Sequence, residues 1–171
     1  MDAGPDQEAL EFITEDAMEG QSGTLGPKLR EGDRQVPEGR YLIDSLNPNS
    51  RFHLSLRVGY PSEFDIAMGK NDGRTDLGSD IMIHGGSASI GCLAMGDPVA
   101  EELFVLVAES GKSNAIVLIC PIAFRTDHQW AIPAALPSCA PERYSQFPVA
   151  FRRPPIPHSS PSTSTTQPRT N

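Results

Sequence analysis

The chain's 171 residues carry 14 Lys and Arg against 22 Asp and Glu, and the resulting charge of -8 repels a phosphate backbone and excludes nucleic acid as a natural partner. Its 16 prolines and 15 glycines favour short strands and many turns over a helical bundle. No run approaches the ~18–20 apolar residues that cross a bilayer, and the opening MDAGPDQEALEF lacks the basic and apolar regions of an export signal.

The expected organisation is one mostly β folded unit over residues 8–125, followed by a Pro/Ser/Thr-rich extension, 126–171, that is mostly disordered and adds little to the core. Residues 8–18 read as a strand with Leu10, Phe12 and Ile13 as its apolar members, a short helix being the alternative. The Gly- and Pro-dense segment 19–39 reads as an extended loop. Gly39 to Asp44 reads as a strand and LNPNS as a turn. Arg51 to Val58 alternates, with Phe52, Leu54, Leu56 and Val58 on one face and His53, Ser55 and Arg57 on the other.

Residues 59–80 read mostly as loop, and Ile81-Met82-Ile83 as a buried strand that delivers His84 at its end. A helix is expected from Asp97, with Asp97 as its cap, Pro98 at its first position and Gly111 as its stop. Ala100, Leu103, Phe104 and Val107 give that helix a core-facing stripe. Asn114 to Cys120 closes the set as a strand, with Cys120 buried in it.

Cys92, Cys120 and Cys139 are an odd number with no CxxC, which argues against a disulfide framework or a zinc ribbon. Of the three, only Cys92 has surroundings that ask for an explanation. The stretch IMIHGGSASIGCLAMGD, residues 81–97, is a strand ending in His84, a Gly/Ser loop, and a Ser-Ile-Gly-Cys turn shortly before a helix. An imidazole beside a thiol can take its proton, so the pairing predicts a Cys92 that titrates below an ordinary cysteine. Gly91 permits a sharp turn that leaves the Gly91 and Cys92 amides to face a substrate oxygen, and Ser89 either steadies the loop or lines the site. The residues alone also allow a core histidine beside a small buried thiol. A metal centre lacks third and fourth ligands, so no metal or other cofactor is expected.

The pattern HG…S-x-G-C resembles the signature of the L,D-transpeptidase catalytic domain (YkuD-type) family, in its YafK-like murein-transpeptidase branch. Three further blocks carry the resemblance in the same order: GPKLREGDRQVPEG at 26–39, LNPNSRFHLSL at 46–56 and GCLAMGD at 91–97. The resemblance implies a mixed β-sheet catalytic domain with one or two short helices. It also implies attack on peptidoglycan stem peptides after diaminopimelate, in the periplasm or cell envelope. Carried over, Cys92 is the nucleophile and His84 the proton acceptor and donor. Gly85 orients the imidazole through its carbonyl, and the Gly91 and Cys92 amides bind the oxyanion. The acyl group then passes from a Cys92 thioester to an amine, or to water in a hydrolase, the alternative being one that cuts peptidoglycan–protein amide links; a non-catalytic, truncated peptidoglycan-binding module is the other alternative.

The sequence departs from the wider family in two respects. Ile90 stands where the classical motif has a second histidine, as in the YafK-like branch, so oxyanion donors must come from the backbone. The strands that usually precede the GPK block are short or missing, which points to a late start or a truncated copy with an exposed sheet edge. His53 and Tyr60 are further candidates to line the substrate groove, a solvated surface and a core role being their respective alternatives. Arg51 or Lys28 can pair with substrate carboxylates. Trp130 either caps the core or lies in the tail, and His128 and His158 are assigned no function.

Overall fold

Five short strands hydrogen-bond into a single sheet of order β4-β3-β2-β1-β5 in the computed structural model, which describes residues 22–23, 26–120 and 140–144. The strands are β1 (Gly39–Ser50), β2 (His53–Val58), β3 (Met82–His84), β4 (Leu93–Ala94) and β5 (Ile116–Ile119). All neighbours are antiparallel except β3 and β4, which run parallel. The helices are α1 (Glu63–Asn71), α2 (Asp97–Ser110) and α3 (Ala140–Tyr144), with a 3-10 turn at Lys112–Asn114. The expected mixed, mostly β sheet with few short helices is therefore what the chain forms. The expected element at 8–18, Trp130, His128, Cys139 and His158 lie outside the described residues.

β1 outruns its expected end because LNPNS stays in the ladder: Leu46 pairs with Leu56, Asn47 with Ser55 and Ser50 with His53, with register shifts between Ile43 and Ser45 and between Asn47 and Ser50. Past Asp44 the strand has no buried residue, so no apolar alternation marks it. β2 keeps Leu56 and Val58 in the core, whereas Phe52 precedes the strand and is 51% exposed. Ser55, expected on a polar face, is buried, because β2 is the central strand and is covered on both sides. β5 begins later than expected, after the 3-10 turn, and Cys120 lies one position beyond it, half-buried.

The core joins Tyr41 and Ile43 of β1, Leu56 and Val58 of β2, Ile83, Leu93, Val107 and Ile119, with Leu103 and Phe104 of α2 packed against it. Full burial of one such side chain contributes about 1.5–3 kcal/mol. α2 packs across β2 and β3 and carries Ala100 and Val107 inward, as its periodicity predicts.

α1 lies in a stretch expected to be loop. It has almost no apolar stripe, since its buried residues are Asp65 and Gly69. Its start is set instead by a capping box, in which Ser62 Oγ accepts from Asp65 N at 3.3 Å and Asp65 Oδ2 accepts from Ser62 N at 2.8 Å. Its inner face is held by charge. Arg143 of α3 is 4% exposed and pairs with Asp65, donates to the Glu38 carbonyl and the Tyr41 hydroxyl, and lies 4.7 Å over the Phe64 ring. A segment expected to add little to the core thus supplies the charge at its centre.

The loop before β1 is closed by a second ion pair. Lys28 Nζ lies 2.7 Å from Asp33 Oδ1, with side chains 5% and 12% exposed. Asp33 Oδ2 also accepts from the amides of Leu29 and Arg30. Burial pushes the Asp33 carboxyl up, but the Lys28 ammonium and the amides of Arg30, Gln35 and Leu29 outweigh it and leave the group below its ordinary value. A carboxylate lowered on folding stabilises the fold fully above its unfolded pKa of about 3.9, and that stabilisation is lost as pH falls through the lowered folded value. Thermal melts of wild type and Asp33→Asn should therefore differ most near neutrality and converge as pH falls below about 4. A gap independent of pH would contradict the clasp.

Candidate functional site

The parallel pairing of β3 with β4 sets the turn that carries Cys92 beside the strand that ends in His84. In that register Ile83 lies opposite Leu93 and His84 opposite Ala94. Paired residues share a face of the sheet, so one step back along the ladder Cys92 falls opposite Met82, on the face that carries His84. The two side chains are then diagonal neighbours on adjacent strands, a spacing of about 7–8 Å between backbones that side chains can bridge.

The imidazole is held firmly. His84 is 3% exposed, and its Nδ1 lies 2.7 Å from the Gly85 carbonyl oxygen. A carbonyl only accepts, so Nδ1 carries the proton and Nε2 is the basic nitrogen. The Phe52 ring packs on the imidazole with centroids 4.8 Å apart and planes at 33°. Phe52 also accepts from Gly85 N through its carbonyl, at 3.0 Å. Sequence reasoning placed Phe52 only in a hydrophobic alternation; its position at the β1–β2 turn, beside the end of β3, is a product of the tertiary pairing.

The turn after His84 is strapped to the start of α2. Met95 N donates to the His84 carbonyl at 2.9 Å, Gly96 N to the Gly86 carbonyl at 3.1 Å, and Gly86 N to Asp97 Oδ1 at 2.8 Å. A Cβ at Gly85 would sit 2.3 Å from Asp97 Oδ1 and 2.9 Å from the Phe52 carbonyl, so no other residue fits there. Asp97 is not the cap expected of it. The cap position of α2 is Gly96, no side chain bonds to the helix start, and the Asp97 carboxylate is turned toward the Gly86 amide.

The thiol rests differently from expectation. Cys92 Sγ donates to the Asp80 carbonyl at 3.7 Å, and no hydrogen bond joins it to His84 among the described residues. Burial pushes its pKa up, the Met82 amide opposes this, the Asp80 carboxylate adds to it and Lys28 opposes it, leaving the thiol above its ordinary value. The predicted lowering is thus reversed, because desolvation and a neighbouring carboxylate outweigh the amide and the ammonium. Asp80 has a positive φ of 56°, which aims its carbonyl at the sulfur, and its carboxylate pairs with Arg57 at 2.9 Å. Alkylation of the protein with iodoacetamide should titrate Cys92 above the ordinary ~8.5 of a cysteine. A value below that would show that the imidazole already holds the thiol proton without substrate.

Gly91 makes the sharp turn expected of it, with φ 126°, and packs against the Gln35 carbonyl of the Lys28–Asp33 loop. Its amide does not stand free, since it donates to Ser89 Oγ at 3.2 Å. Ser89 Oγ in turn donates to the Cys92 carbonyl at 2.6 Å, so this hydroxyl steadies the nucleophile turn. Ile90 is 80% exposed beside it.

Three other candidates are engaged elsewhere. Tyr60 is 5% exposed, donates its hydroxyl to the Leu77 carbonyl at 2.8 Å and stacks edge-on to Tyr41, which makes it a core residue and not a groove lining. Burial, above all, pushes its phenol pKa well up. Lys28 is committed to Asp33 and the Arg30 carbonyl, and so is not the expected partner of a substrate carboxylate. His53, with φ 71°, pairs through Nε2 with Glu101 Oε1 of α2 at 2.6 Å. Arg51 is exposed at the β1–β2 turn. No cluster of three or more His, Cys, Asp or Glu suited to a metal occurs among the described residues. Among those residues, no helix is long and apolar enough to cross a membrane.

The "Putative L,D-transpeptidase YafK" proteins of Escherichia coli strain K12 and of E. coli O157:H7 are each 41% identical to this chain over 105 residues, 58% of it. The chain spans 40% of the length of those relatives. The crystal structure of the helical cell shape determining protein Pgp2 from Campylobacter jejuni is similar over 58% of this chain and 36% of its own, with 26% identity and a TM-score of 0.46. The YkuD family profile, the L,D-transpeptidase catalytic domain, matches residues 12–119. A match of that extent takes in more than half of the sequence, and the chain belongs to the L,D-transpeptidase catalytic domain family.

Proposed function

We propose that this chain transfers the acyl group of a peptidoglycan stem peptide, cut after diaminopimelate, through a thioester on Cys92. One observation carries the reading: an imidazole fixed through Nδ1 by the Gly85 carbonyl, with a cysteine just before the parallel strand paired to its own. Family membership supports the substrate class and a place in the cell envelope.

In this reading the thiol leaves the Asp80 carbonyl and turns to His84, whose Nε2 takes its proton. The thiolate attacks the carbonyl carbon after diaminopimelate, and the Cys92 amide binds the developing oxyanion. The Gly91 amide joins it on giving up Ser89. His84 then delivers the proton to the departing amine as the carbon–nitrogen bond breaks, leaving the thioester. An incoming amine attacks that thioester, loses its proton to His84 and restores the thiol; water in its place makes a hydrolase. The raised resting thiol favours a second reading, a peptidoglycan-binding module without turnover.

Incubation with a diaminopimelate-containing tetrapeptide muropeptide, with and without a free D-amino acid, separates these. Release of the terminal residue with formation of an exchanged peptide is the transferase result, and a tripeptide alone is the hydrolase result. Binding to sacculi with neither product would overturn the enzymatic reading.

A further inference from the structure

The geometry points to Asp97 as a positioning residue that acts on His84 through a single peptide unit, an inference that rests on His84 being the proton carrier proposed above. The Gly85 carbonyl and the Gly86 amide belong to the same planar trans peptide, so they point in opposite directions from one rigid unit. On one side the carbonyl accepts from His84 Nδ1 at 2.7 Å. On the other the amide donates to Asp97 Oδ1 at 2.8 Å. The result is a chain of carboxylate, peptide and imidazole in which each hydrogen bond polarises the next. A carboxylate accepting from N–H draws positive charge to that end of the peptide and makes its oxygen a better acceptor. A better acceptor favours the imidazolium that forms when His84 takes the thiol proton.

Two features show that the arrangement is built around this carboxylate. The space where a Gly85 side chain would lie is taken by Asp97 Oδ1, at 2.3 Å from the ideal Cβ. The strand end and the helix start are also stitched by Met95 N to the His84 carbonyl and Gly96 N to the Gly86 carbonyl, which fixes the peptide plane. Two other acidic groups near this end of the sheet have cationic partners of their own: Glu101 of α2 pairs with His53 of β2, and Asp80 pairs with Arg57. Asp97 is thus the carboxylate in contact with the peptide that orients the imidazole.

Asp97→Asn separates charge from shape, because the amide oxygen of asparagine can still accept from Gly86 N. The expected result is about a tenfold fall in kcat with KM unchanged, since charge-assisted hydrogen bonds are roughly twice as strong as neutral ones. The Nδ1 proton resonance of His84 should move upfield in the same variant, and Asp97→Glu should recover part of both effects. Wild-type kcat and an unmoved His84 resonance in Asp97→Asn would overturn the proposal. So would equal losses in Asp97→Asn and Asp97→Ala with that resonance unmoved. If the wild type itself turned over no muropeptide, the functional reading would fall while the resonance still tested the contact.

Discussion

Replacing Cys92 with alanine is expected to remove turnover, on the order of a thousandfold or more, while Cys120→Ala keeps most of it. The difference follows from where each sulfur sits. Cys92 immediately precedes β4, the strand paired with the end of β3 that carries His84, whose basic nitrogen is left to receive a proton because the other is committed to the Gly85 carbonyl. Cys120 lies just past β5, across the sheet and on the opposite edge from β4. Removal of a nucleophile that forms the covalent intermediate eliminates the path and leaves only what binding and oxyanion donors provide. Chromatographic assay of muropeptide products checks both variants. Equal turnover in wild type and Cys92→Ala would show that the reaction does not pass through this sulfur.

Asp65→Ala should cost about 3–5 kcal/mol of stability, because it removes a carboxylate with which the buried Arg143 guanidinium pairs. The pair joins α1 to α3, and the same guanidinium ties down the Glu38 carbonyl at the start of β1. A loss of this size approaches the whole stability of many single domains. Arg143→Met, which removes charge and keeps much of the volume, takes the cation from Asp65 in turn, whereas changing both residues removes both buried charges together. The double variant Asp65→Ala/Arg143→Met should therefore be more stable than Asp65→Ala alone. Urea unfolding of the three variants measures this, and a double variant no better than the single would show that the pair is not the source of the cost.

What was legible in the sequence had local causes. Asp97, Pro98 and Gly111 punctuate a helix whose apolar spacing is regular, so α2 was readable nearly to the residue. His84 and Cys92 stood out because a strand, a Gly/Ser loop and a turn follow in a fixed order. What was not legible depends on distant partners. α1 has a capping box but no hydrophobic stripe, and the charge that answers its buried Asp65 comes from Arg143, far along the chain. The later half of β1 is held by ladder bonds on an exposed stretch, which leaves no pattern to read. The resting partner of Cys92 is a main-chain carbonyl aimed by the positive φ of Asp80, and no residue type announces it. Asp97 was assigned the commonest task of an aspartate at a helix start, yet the fold turns its carboxylate to the Gly86 amide.

A thiol held above its ordinary pKa and hydrogen-bonded to the Asp80 carbonyl must, in the proposed reaction, turn toward His84 before it attacks. The covalent intermediate is therefore the species to look for. Mixing the protein with a diaminopimelate-containing tetrapeptide, quenching in acid within seconds and mapping the adduct by mass spectrometry gives the most direct reading. A thioester-linked acyl group on Cys92, absent from Cys92→Ala and strongly reduced in His84→Ala, is the result predicted. Turnover with the acyl group on another residue, or an adduct on Cys92 that forms just as fast without His84, would contradict it.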